Sequence, residues 1–112
     1  MTEELPIIAK AFDLAKEMTE RTRKFPRDLR FVLGDRILST AYDVFDTLLE
    51  AKYSTIKRPL LDRTNLLLER LRFQVRLCVE QKLMTMNQYE YLAALIQETG
   101  RMAGGWRKAV KQ

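Results

Sequence analysis

With 112 residues and one cysteine, Cys78, the chain is long enough for a single domain over residues 1–112 with its own core, and an internal disulfide or a disulfide-stapled secreted fold is excluded. Hydrophobic residues at 46% and charged residues at 31% exclude the disordered and fibrous classes. Lys and Arg outnumber Asp and Glu by 20 to 15, a net charge of +5 that favours a polyanionic partner.

The first helix is expected from about residue 6 to 24. Pro6 suits a first turn, Ile8, Ala11, Phe12, Ala15 and Met18 recur at helical spacing, and Phe25-Pro26 ends the run because a residue before proline leaves the helical region. A second helix over 27–53 places Asp28 where its charge complements the helix dipole. Its core stripe is Leu33, Ile37, Ala41, Val44 and Leu48, flanked by Phe31, Leu38, Tyr42, Phe45 and Leu49, so its apolar face is wider than one neighbour requires.

A third helix is expected over 59–83, with Pro59 in its first turn. Leu67, Leu68, Leu71, Val75 and Cys78 form its core stripe, while Leu66, Phe73 and Leu77 form a second one. That second stripe suits a subunit interface, or else a neighbouring helix of the same chain. The fourth helix, over 86–109, opens on a capping box of Thr85 and Gln88 and continues through Tyr89, Leu92, Leu95, Ile96, Thr99, Met102, Ala103 and Trp106. Gly100 and Gly104 share a face and would permit close approach of another helix or subunit, and Gly104-Gly105 could equally mark a fraying end. Short connections make successive helices antiparallel, so the fold class is all-α, an up-down four-helix bundle.

The chain has no histidine, which removes the commonest general base and transition-metal ligand. Cys78 lies on a core stripe and reads as a small hydrophobe. Asp43 with Asp46, or Asp13 with Glu17, have helical spacing but are ordinary surface acids, and no phosphate-cradling glycine loop is present. No catalytic residue, metal or cofactor is expected. No apolar run approaches the roughly 18 residues of a membrane span, and residues 1–10 show no signal-peptide pattern, so a cytoplasmic protein without a membrane partner is expected.

Arginine remains. Residues 21–36 carry six basic and two acidic side chains, residues 51–82 eight and three, whereas residues 37–50 carry three acidic and no basic ones. Lys24, Arg27, Arg30 and Arg36 flank the first junction, and Arg72 and Arg76 stand one turn apart on the third helix. Neighbouring arginines can track a phosphate backbone without reading sequence. Phe73, Tyr53 and Tyr91 could stack on bases, although packing in a core or interface is the simpler role. The basic clusters also fit a solvated surface that keeps the protein soluble, and Arg36 near Asp35 and Asp28, or Arg101 near Glu98, fit ion pairs within the bundle.

The run Lys24-Phe25-Pro26-Arg27-Asp28-Leu29-Arg30-Phe31-Val32-Leu33-Gly34-Asp35-Arg36-Ile37 resembles the signature of Avd-like proteins, the accessory variability determinants of diversity-generating retroelements. Leu66 to Arg76, Tyr89-Glu90-Tyr91-Leu92, and Gly100-Arg101-Met102 through Gly104-Gly105-Trp106 extend the resemblance over nearly the whole chain. It implies a four-helix bundle assembling as a homopentameric barrel with a basic surface. It also implies binding to the retroelement's reverse transcriptase and its template RNA, with DNA as a second nucleic acid, in support of mutagenic complementary-DNA synthesis. By motif, Lys24, Arg27, Arg30, Arg36, Arg70, Arg72 and Arg76 become the nucleic-acid or polymerase contacts, Arg72 and Arg76 foremost, and the implied ring offers the second stripe, Leu66, Phe73 and Leu77, an oligomer interface in which to be buried. A related family, the four-helix-bundle proteins encoded in ribosomal-RNA intervening sequences, offers the alternative of an interaction protein with no retroelement role.

Overall fold

Prolines and side-chain caps set where the helices start. Pro6 occupies the first turn of α1 (Pro6–Arg23), where its missing N–H is not needed, behind an extended Leu5. The computed structural model describes residues 5–110. The last turn of α1 closes with the Lys24 and Phe25 amides donating to the carbonyls of Arg21 and Thr22 at 3.2 and 3.1 Å. Pro26 then reverses the chain, and Phe25 is buried under the turn.

Helix α2 covers residues 27–53 in three sections: an α-helical Arg27–Leu29, a π-helical Arg30–Gly34, and an α-helical Asp35–Tyr53. Asp28 lies in its first turn. The π turn departs from the uninterrupted period expected here. One extra residue per turn rotates the preceding section relative to the rest of the helix. Ile37, Ala41, Val44 and Leu48 are fully buried as their period requires, but Leu33 is only half-buried and Gly34 takes the interior position instead. A Cβ added at Gly34 would meet Phe25 and Thr22 at ordinary van der Waals distance.

Lys57 closes α2 from outside the helix. Its ammonium donates to the carbonyls of Ala51 and Ser54, both at 2.7 Å, and of Lys52 at 3.3 Å, placing a cation at the negative end of the helix dipole.

Helix α3 (Arg58–Glu80) carries Pro59 in its first turn and ends three residues short of the expected 83. Lys82 adopts a left-handed conformation, φ 62°. Its amide donates to the Val79 carbonyl at 2.9 Å, and the Leu83 amide to that of Cys78 at 2.8 Å. This is a Schellman stop built on lysine where glycine is usual. Because a Cβ disfavours the left-handed region, Lys82→Gly is expected to stabilise the chain by about 0.5–1 kcal/mol, read as a higher urea midpoint at unchanged slope.

Helix α4 (Met86–Ala109) starts with both halves of the capping box in place: the Gln88 amide donates to Thr85 Oγ1 at 3.1 Å, and the Thr85 amide to Gln88 Oε1 at 3.0 Å. The helix runs unbroken through Gly104 and Gly105, so the end does not fray there. A Cβ added at Gly100 would meet only Leu68, at an ordinary distance, and one at Gly104 would meet open space, so no close helix approach within the chain requires these glycines.

Each helix packs against two others, α1 on α2 and α4, and α3 on α2 and α4, which makes an antiparallel four-helix bundle of 44 × 25 × 20 Å with no strand among the described residues. Leu14, Met18, Leu48, Leu67, Leu71 and Leu92 are completely buried along its axis. Threonines inside it satisfy their hydroxyls on the preceding turn: Thr64 donates to the Leu60 carbonyl at 2.9 Å and Thr99 to that of Leu95 at 2.7 Å. None of the described helices is long and apolar enough to cross a membrane. Antiparallel order brings the α1–α2 and α3–α4 connections to one end of the bundle and the α2–α3 link to the other.

Candidate nucleic-acid interface and apolar faces

The faces of α3 explain where its arginines go. Leu61, Leu67, Leu71, Val75 and Cys78 point inward with no exposed surface. On the opposite side of the helix Leu66, Phe73 and Leu77 are 58%, 52% and 45% exposed. These three therefore do not pack on a neighbouring helix of the same chain.

Arginines border this ridge on both sides and fall into two electrostatic groups. Arg72 and Arg76 lie on the side of α4. Arg72 grips Glu69 with two hydrogen bonds, the one from Nε at 3.3 Å, and lays its guanidinium 4.7 Å from the Phe73 ring centroid. Those hydrogen bonds hold the Glu69 carboxyl below its ordinary range and raise the Arg72 guanidinium above its own. Arg76 pairs with Glu80 at 3.6 Å. Asn65, Leu68, Glu69 and Arg72 face Ala93, Ile96, Gln97 and Gly100 across an open groove of about 520 Å³ between α3 and α4. On the other flank, toward α2, Arg63 and Arg70 are exposed and form no ion pair within 4 Å among the described residues. Arg70 thus faces away from Arg72 and Arg76.

The junction residues gather at the end of the bundle where α1 meets α2. Lys24, Arg27 and Arg36 are exposed there. Arg30 is half-buried, donates to the Arg23 carbonyl at 3.4 Å and lies 5.4 Å from the Phe31 ring centroid. Arg36 forms no ion pair with Asp35 or Asp28, contrary to that expectation, whereas Arg101 pairs with Glu98, Nε to Oε1 at 3.0 Å. Lys82 joins this end through the α3–α4 connection. Its place depends on the left-handed stop, which charge counting along the sequence does not reveal. Phe73, Tyr53 and Tyr91 are all exposed, so none of them serves as core.

A second apolar face lines the outer groove between α1 and α2. Phe12 meets Phe45 edge-on, ring centroids 6.0 Å apart, and the Tyr42 and Thr19 hydroxyls are hydrogen-bonded at 2.9 Å. Phe12, Tyr42 and Leu49 keep a third or more of their surface exposed. Lys16 and Glu20 of α1 line this groove beside Phe12, Ala15, Thr19 and Tyr42, so its charge is mixed; Asp46 and Glu50 of α2 are exposed and without an ion pair among the described residues.

Cys78 is completely buried, and burial pushes its thiol up to about 12, far from the thiolate that nucleophilic chemistry needs. Among the described residues no group of three or more Cys, Asp or Glu side chains could hold a metal ion.

The sequence matches no protein in a search of curated proteins. Residues 6–110, the whole bundle from Pro6 of α1 through the end of α4, match the family described as bAvd-like. A four-helix bundle with the predicted helix order, matched from its first helical residue to just past its last, belongs to the bAvd-like family.

Proposed function

We propose that this chain is a non-catalytic, cytoplasmic accessory subunit of a diversity-generating retroelement. As a homopentameric ring it binds the element's reverse transcriptase and template RNA and supports mutagenic complementary-DNA synthesis. Family membership across residues 6–110 carries this reading.

The surface chemistry supports it. Arg72 is oriented by Glu69 on one side and Phe73 on the other, so its rotamer entropy is largely spent before a ligand arrives. An RNA phosphate reaching the α3–α4 side takes over the donors that Glu69 and Glu80 now accept, an exchange of one anion for another, while the exposed Phe73 ring offers a face for a base. Exposed ion pairs of this kind contribute little to folding, so releasing their carboxylates costs the bundle little. Lys24, Arg27, Arg30 and Arg36 extend the positive surface at the junction end, and Arg70 adds to it on the far flank.

Binding of a structured template RNA, followed by filter retention against salt, is expected to weaken steeply between low and physiological ionic strength. The double variant Arg72→Ala with Arg76→Ala is expected to bind more weakly at every salt concentration and to flatten the log–log slope by about 1.4, two phosphate contacts at about 0.7 each. Unchanged RNA affinity together with unchanged capture of the reverse transcriptase would remove these two arginines from the interface.

A further inference from the structure

A pocket of about 230 Å³ opens between the end of α1, which contributes Thr22 and Arg23, and the π-helical start of α2, which contributes Arg30, Phe31, Asp35 and Leu38. Sites for drug-sized ligands measure about 300–1,000 Å³, so this one has room for about one planar ring system. Its floor is apolar. The Thr22 hydroxyl is spent on the Met18 carbonyl at 2.9 Å, Gly34 presents bare backbone, and Leu38 is half-buried. Phe31, 61% exposed and with the Arg30 guanidinium 5.4 Å from its centroid, borders this floor with an aromatic ring on which a planar ligand stacks.

Charge around the pocket is mixed, and the mixture is selective. On the α1 wall Arg23 is held only by a loose pair with Glu20 at 3.8 Å, and Arg30 spends one donor on the Arg23 carbonyl at 3.4 Å. On the α2 wall Asp35 is exposed and forms no ion pair among the described residues. Arginines alone accept any phosphate. A free carboxylate beside them repels phosphate, so it is out of place in a site for backbone only and suits a ligand that brings donors of its own. Among the nucleobases, guanine carries two adjacent donors, N1–H and the N2 amino group, next to the O6 acceptor. Adenine and cytosine place a ring-nitrogen acceptor at the middle of the same edge, and uracil flanks its single N–H with two carbonyls. A carboxylate with an arginine nearby therefore matches the guanine edge and opposes the other three.

We infer that this pocket holds one unpaired guanine, stacked on Phe31, with its two donors on the Asp35 carboxylate and its O6 and phosphate toward Arg23 and Arg30. The ligand is a guanine nucleotide, free or within a single strand, because a guanine in a duplex has its edge paired and its faces stacked. The inference rests on the nucleic-acid binding proposed above and adds a choice of base that arginines by themselves do not supply.

Fluorescence anisotropy of a labelled oligo-uridine strand with one central guanosine, against strands with adenosine or inosine in its place, tests this. The wild type is expected to bind the guanosine strand at least about fivefold more tightly than the adenosine strand, the lower end for a bidentate base contact. Inosine, which lacks the N2 amino group, is expected in between, and annealing to a complementary strand is expected to abolish the preference. Asp35→Asn is expected to equalise the guanosine and adenosine strands without weakening the latter. If Asp35 acts only by repelling phosphate, the substitution tightens every strand alike, the ratio persists, and the inference is overturned. Phe31→Leu, expected to weaken the guanosine strand most, is the second variant should Asp35→Asn lose the helical circular-dichroism signal. Displacement of the strand separates the two sources. Guanosine monophosphate competing as tightly as the strand binds identifies the free nucleotide, and weaker competition that still exceeds that of adenosine monophosphate identifies the strand. Equal binding of the guanosine and adenosine strands by the wild type overturns this site alone, whereas failure to bind any strand overturns the RNA reading with it.

Discussion

Leu71→Ala is expected to destabilise the folded chain by about 2–5 kcal/mol, the range for truncating a buried leucine that leaves a cavity. Leu71 has no exposed surface and lies in the middle of α3, the helix that packs on both α2 and α4. Its neighbours along the stripe, Leu67, Leu68 and Val75, are held by the same two helices and cannot move into the gap without loosening contacts of their own. Since a domain of this size has a total stability of about 5–15 kcal/mol, the loss is a large share of it. Leu66→Ala, five residues earlier on the same helix, is the internal control: in the dissociated chain it is expected within about 0.5 kcal/mol of wild type, because its side chain is mostly in water. Urea unfolding of the two variants at low protein concentration checks both values. Equal losses would mean that the inward and outward faces of α3 do not differ in burial, and reversed ones that they have been exchanged.

The second large effect is expected at Lys57, where methionine keeps the aliphatic stem but removes the ammonium. Lys57→Met deletes the donor to three carbonyls at the end of α2 and the cation 6.0 Å from the Trp106 ring centroid. Hydrogen bonds from a charged donor are worth about 1.5–3 kcal/mol. Because the site is half-buried and water can replace part of what is lost, a destabilisation of about 1–2 kcal/mol is expected in the same urea experiment. Lys57→Arg, which keeps the charge but spreads it over a planar fork, is expected to recover only part of the difference, since three converging carbonyls suit a compact ammonium better.

The parts of this molecule that were legible from sequence are those decided within a few residues. Pro6 and Pro59 mark helix starts because a missing N–H is tolerated only there, and Thr85 with Gln88 cap α4 because both partners of the box are three residues apart. The inward stripe of α3 follows from a 3.6-residue period that nothing in that helix interrupts. What sequence reading missed involves a shift in that period or a distant partner. The π turn at Arg30–Gly34 breaks the count on which Leu33 was placed in the core. The stop at Lys82 uses a left-handed residue that lysine rarely supplies. At the candidate site, the arginines of α3 were legible as a cluster, yet their division into a carboxylate-bound pair beside α4 and an unpaired set beside α2 needed the helix neighbours to be known. The pairing of Arg107 with Asp62, which ties the end of α4 to the start of α3, joins residues too far apart in sequence for any local rule.

The brevity of the connections, three residues between α1 and α2, has a consequence for time. Bundles whose helices touch mainly their sequence neighbours fold in about microseconds to milliseconds. Two proteins at micromolar concentration, associating at about 10⁵–10⁷ M⁻¹s⁻¹, need roughly a tenth of a second to ten seconds to find each other. In the ring proposed above, each copy is thus finished long before it would meet another, and assembly would select among completed surfaces: dilution would slow the encounter without leaving a half-folded chain waiting for its partner.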